Sequence, residues 1–155
     1  MNMKKLKLKD VGKQRLYNDS FEGYDNAVLW EVLKIKHEQE MEVEFISTNS
    51  KYLQGIRLAI DVGEGYIEVN GEKSRQRWLW EDTAPKITTL KCVSEEGLLS
   101  VYNAFYRGPG TGGSSSQMDS CAMLVEEKDN TYTYRCNDEG FVTDFDKLVF
   151  RITLK

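Results

Sequence analysis

The strongest constraint on this chain is an alternation of apolar and polar residues with a period of two, which recurs along most of its length. Met41-Glu42-Val43-Glu44-Phe45 is the clearest run, and Ile56, Leu58, Ile60 and Val62 repeat it. Near the end, Leu148, Phe150, Ile152 and Leu154 alternate again. Successive side chains of a strand point to opposite faces, so each run describes a strand with one wet side and one buried side. Tyr66-Ile67-Glu68-Val69 leads into Asn70-Gly71, a pair suited to positive φ at both central positions of a hairpin turn. The return strand is then Glu72 to Trp80. Ile87 to Val93 and Leu98 to Tyr106 follow, with Glu95-Glu96-Gly97 as turn chemistry between them. Cys121 to Glu126, Thr131 to Cys136 and Lys147 to Leu154 complete the set.

About eight or nine short strands at this spacing predict an all-β fold, an antiparallel β-sandwich, with a small β-barrel as the second choice. Ala27 to Lys36 is ambiguous: Leu29, Val32, Leu33 and Lys36 fit a helical face, but the run also fits a hairpin turning at His37 to Glu40. The hairpin is preferred, because a sheet-rich fold needs strand partners more than a lone helix. Gly108 to Ser116 is too rich in glycine and serine to bury anything and reads as a flexible excursion between strands. The hairpin from Cys121 to Cys136 has two registers. A turn between Lys128 and Asp129 sets Cys121 opposite Cys136 and allows a disulfide, whereas a turn at Asp129-Asn130 sets Cys136 opposite Met123.

With 155 residues, 40% of them hydrophobic, residues 16–155 can bury one core as a single domain. Residues 1–15 differ, with six basic side chains against Asp10, and read as a solvated basic tail. The net charge of −4 argues against nucleic acid as the main partner, since phosphate binding needs clustered positive charge. There is no apolar run of membrane-span length and no secretory leader, which places the expected protein in the cytoplasm by default. Three cysteines without a C-x-x-C spacing and one histidine are too few for a zinc site, and His37 lies among charged residues as in a turn. Reduced cysteines filling the core are the default. Glycines 108–113 lack the following Gly-Lys-Ser or Gly-Lys-Thr of a phosphate loop.

Trp78 and Trp80, two residues apart on one strand, share a face, with Arg75 and Arg77 before them and Glu81-Asp82 after. They suit either a core pair or an aromatic platform for a glycan, and Tyr102 with Tyr106, like Tyr132 with Tyr134, poses the same choice. Adjacent acids such as Glu81-Asp82 would serve a hydrolase only if held about 5–9 Å apart. Asn137, Asp138, Asp144 and Asp146 surround a short turn and supply the oxygen ligands that calcium takes, the competing role being to cap the last strand.

Leu79 to Pro85, Val101-Tyr102-Asn103, Tyr134 to Asp138 and the stretch from Asp144-Phe145 to Phe150 together resemble a family of uncharacterised bacterial all-β proteins, a domain of unknown function, over about residues 55–155. That resemblance implies a fold and no activity. Asp144-Phe145-Asp146-Lys147-Leu148-Val149 is also similar to the ending of calcium-associated β-sandwich domains, which implies calcium at Asp138, Asp144 and Asp146. Lys147 stands where that family has an acid, and Val142 where another often precedes. The expected function is non-enzymatic binding of a protein or glycan ligand, through loops or through an aromatic face of Trp78, Trp80, Tyr102 and Tyr106. A carbohydrate-binding module and a carboxylate-dependent hydrolase are the alternatives, and open strand edges offer a route to homo-oligomers.

Overall fold

The computed structural model describes residues 11–110 and 113–155, and in these there is no helix. Thirteen strands are formed in chain order: β1 (Leu16–Tyr17), β2 (Val28–Lys34), β3 (Gln39–Thr48), β4 (Leu53–Ala59), β5 (Gly65–Val69), β6 (Glu72–Ser74), β7 (Gln76–Trp80), β8 (Ile87–Ser94), β9 (Leu98–Tyr106), β10 (Ser114–Ser115), β11 (Ala122–Lys128), β12 (Thr131–Asn137) and β13 (Leu148–Leu154). Eleven lie in one antiparallel sheet in the order β6-β5-β8-β3-β13-β12-β11-β2-β9-β4-β7, with β1 added to β2 and β10 to β9.

The two ends of that order, β6 and β7, follow each other in the chain with only Arg75 between them. Ile60 N–H donates to the Arg75 carbonyl at 2.8 Å, so the strand that ends the sheet on one side is tied to β4 on the other. The sheet therefore curls into a nearly closed, barrel-like wall of eleven strands, which fits the second of the two expected architectures, while the expected sandwich of eight or nine strands is not confirmed.

Alternation sorts the residues between the inside and outside of this barrel. Met41 and Val43 of β3 are buried against Leu90, Leu154 and Ile152, while Glu42 and Glu44 between them reach Lys155 and Arg151 outside. Ile56, Leu58, Leu99, Val101, Met123, Tyr134, Leu148 and Phe150 supply the same core from the other strands. A smaller cluster of Phe21, Ala27, Ala122 and Phe145 packs separately.

Several local expectations are corrected. Residues 28–34 are strand, as preferred, but β2 and β3 are not hairpin partners: β2 pairs with β9, β11 and β1, and β3 with β8 and β13. The return strand after Asn70-Gly71 is broken at Arg75. Met123 pairs with Cys136, so the turn is Asp129-Asn130, both at positive φ, and the register that opposes Cys121 to Cys136 is excluded; all three cysteines are free. Ser114–Ser115 pairs with β9, giving part of the glycine- and serine-rich excursion a fixed place, while residues 111–112 lie outside the described residues. So do residues 1–10 of the basic segment. No helix of the described residues is long and apolar enough to cross a membrane.

Candidate functional site

β7 crosses the barrel wall with Leu79 inside, opposite Ile56, and Trp78 and Trp80 outside, opposite Arg57 and Gly55. The alternation leaves both indoles half-buried on the outer surface. Their rings are nearly parallel, 5.9 Å apart with an interplanar angle of 5°. Gly55 makes this possible. A Cβ built there would come within 2.5 Å of the Trp80 ring, so the indole lies flat over bare backbone.

The row continues across the neighbouring strands. Arg57 is paired with Tyr102 on one side and Trp78 on the other, and Trp30 on β2 meets the Tyr102 ring at 5.0 Å. The Arg57 guanidinium sits 5.1 Å from the centre of the Tyr102 ring and 5.9 Å from that of Trp30, a cation–π arrangement, and is anchored by two hydrogen bonds to Asp61 at 2.9 and 3.0 Å. Burial pushes the Asp61 carboxyl up, but the Arg57 hydrogen bonds and charge outweigh it and hold the group below its ordinary range. Tyr102 is only 8% exposed and forms the floor of the row, which explains why β9 is buried on both faces. Burial of Tyr102 raises its phenol above the usual value. Tyr106 is half-buried at the far end of β9, opposite Leu53 and Ser114.

The structure thus brings together Trp78, Trp80 and Tyr102 of the expected ligand face, leaves Tyr106 apart, and adds Trp30 and Arg57. Trp30 was not legible, because its neighbour Glu31 is an acid buried in the wall, and alternation read from the sequence would have put the acid outside and the indole inside.

Of the acids of the expected calcium turn, Asp138 and Asp146 are engaged by neighbouring side chains and backbone. Asp138 is buried and accepts hydrogen bonds from the Ser50 hydroxyl, from Gln54 at 3.0 Å and from the Glu139 N–H at 2.7 Å. Glu139 pairs with Arg107 at 2.6 Å and accepts from the Tyr52 hydroxyl, which holds its carboxyl below the usual range. Asp146 accepts from Asn49 at 2.7 Å and, through this bond and Lys147, is likewise lowered. Asp144 is exposed. These contacts tie the β12–β13 connection to the start of β4. Among the described residues, no three histidine, cysteine or acidic side chains form a metal-binding group. Glu81 is also occupied, accepting from the Gln54 N–H at 2.6 Å and the Thr48 hydroxyl at 3.2 Å, while Asp82 is exposed.

A second feature adjoins the aromatic row. Trp78, Arg77 and Leu79 of β7 and Ile87 and Thr88 of β8 line a cleft of about 410 Å³ where the two ends of the sheet approach each other. In the sequence Arg77 stood out only as a neighbour of the tryptophan pair, and Thr88 did not stand out at all. Parity was the available signal, because Arg77 shares the inward register of Leu79. No protein-family model and no curated protein matches the chain.

Proposed function

We propose that this protein is a non-catalytic binding module whose outer aromatic face receives a glycan. The observation that carries the reading is the parallel Trp78–Trp80 pair, half-buried on the outside of the barrel over Gly55. An indole presents a flat apolar surface with a negative π face, which packs against the C–H groups on the face of a sugar ring. The open face of this parallel pair suits a sugar ring packed flat against it. Arg57, held between Tyr102 and Trp78 and oriented by Asp61, supplies hydrogen-bond donors beside the platform.

A tryptophan-fluorescence titration with soluble β- and α-linked hexasaccharides tests this, with iodide quenching as the measure of exposure. Saturable change with one linkage class, protection from iodide on binding, and loss of both in Trp80→Ala are expected. Indoles that iodide cannot reach, or a response that survives Trp80→Ala and Trp78→Ala, would refute the platform.

A further inference from the structure

Seven buried polar side-chain atoms among the described residues lack a hydrogen-bond partner, and two of them, Arg77 Nε and Thr88 Oγ1, belong to residues lining the cleft between β7 and β8. Arg77 stands in the inward register of the barrel, opposite the fully buried Leu58. Its one ion pair among the described residues is loose, 4.0 Å to Glu72, whose side chain is 81% exposed. Thr88 is 5% exposed and faces inward from β8, opposite Val43. Proteins seldom leave buried donors idle, since each has given up water without gaining a partner. Here both idle groups belong to residues that line one cavity, and its size falls in the range of small-molecule sites.

We propose that this cleft binds a small ligand through a single carboxylate, with Arg77 as the fork and Thr88 as a further donor. A guanidinium presents parallel N–H groups that match the two oxygens of a carboxylate, and the pairing strengthens where water is excluded. Among the described residues, Arg77 is the only charged one lining the cleft. One positive charge balances one negative charge, which favours a carboxylate over a doubly charged sulfate or phosphate. Leu79, Ala84 and Pro85 offer an apolar wall for the rest of the ligand, and Trp78 lines the same cavity. The site adjoins the glycan platform through Trp78, but Arg77 and Thr88 are on the inward face and Trp80 is not among the lining residues, so Trp80→Ala separates the two.

The test uses the whole protein, with calorimetric and amide-shift NMR titrations of sodium benzoate and sodium glucuronate at constant ionic strength, against glucose and sodium sulfate. Saturable binding of at least one carboxylate is expected, with shifts at Arg77 and Thr88, no comparable binding of glucose and weaker binding of sulfate. Arg77→Met should weaken the carboxylate at least tenfold. Arg77→Lys, which keeps the charge and loses the fork, and Thr88→Val should each weaken it several-fold, and Trp80→Ala should leave it unchanged. Carboxylate affinity equal in wild type and folded Arg77→Met, tighter binding of sulfate, or no saturable binding of either carboxylate would overturn the proposal. Retained carboxylate binding with no oligosaccharide response would sink the platform alone.

Discussion

At the residue scale, the most demanding group in the molecule is Glu31, fully buried in the barrel wall. Arg15 forks onto both of its oxygens at 2.8 Å, Tyr134 donates its hydroxyl at 3.0 Å, and the Val32 N–H donates at 3.0 Å. The Glu31 hydrogen bonds raise the Arg15 pKa, and burial keeps the Tyr134 phenol well above its usual value. Arg15→Ala should cost about 3–5 kcal/mol in urea unfolding, at the lower end because the arginine is itself partly exposed, since it strands a buried charge. Arg15→Met with Glu31→Met removes both charges and should recover most of that loss; a double variant as unstable as the single one would show that packing, not charge, is at stake. Asp61 gives a pH signature. Its folded pKa lies below the ordinary 3.8, so the unfolded chain binds protons more tightly and the Arg57 pair contributes stability above that pH. The contribution is lost as pH falls through the folded pKa, so the stability gap between wild type and Asp61→Asn should close on acidification below about pH 4. A gap that stays constant down to acid unfolding would contradict this. Burial pushes the Cys92 and Cys121 thiols up to about 12 and about 11, and Cys136 well above the usual range, with the neighbouring Cys121 adding to the effect of burial there. The thiolate is the reactive form, so native protein should take up no thiol reagent at pH 8 and should expose all three groups together on unfolding.

At the scale of elements, strands and the hairpin pairings across tight turns were legible, and the pairings between strands distant in the chain were not. Asn70-Gly71 and Asp129-Asn130 form turns with positive φ at both positions, because their chemistry is local. The non-pairing of β2 with β3, and of β8 with β9, follows from which edges must meet for the sheet to curl, and no local pattern encodes that. Trp78 and Trp80 could be placed on one face from parity alone, but whether that face was wet depended on β9 and β4 lying beneath it. Asp138 looked like a free oxygen ligand in sequence because Ser50 and Gln54, its partners, come from far along the chain. Gly55 is the element-level support of the tryptophan pair. Gly55→Ala should lift Trp80 off the wall and break the parallel stack, at a cost of about 1–3 kcal/mol for overpacking. The near-ultraviolet circular dichroism should lose the signal of the coupled indoles. An unchanged spectrum with full stability would mean that the ring is not seated on this backbone.

At the scale of the whole molecule, closure decides what the barrel exposes. A sandwich leaves long strand edges that can recruit another chain, whereas among the described residues this nearly closed sheet leaves short edges, at β6, the two-residue β1 and β10, and the side of β7 facing the cleft. Arg75 is the clasp. Its guanidinium donates to the Gly63 carbonyl at 2.9 Å and the Ile60 carbonyl at 2.5 Å, tying the break between β6 and β7 to the β4–β5 connection. These are hydrogen bonds from a charged donor to backbone acceptors, worth about 1.5–3 kcal/mol when formed by a well-placed group. Because they sit at the one place where the sheet meets itself, Arg75→Ala should loosen the closure before it loosens the rest. Hydrogen exchange followed by mass spectrometry should show faster exchange in β6 and β7, with β12 and β13 keeping wild-type protection. The freed β7 edge should also make the variant self-associate with rising concentration in light scattering, while wild type holds its mass. Uniform acceleration across all strands would instead mean that the barrel opens only by global unfolding, and Arg75 would then be an ordinary surface tie.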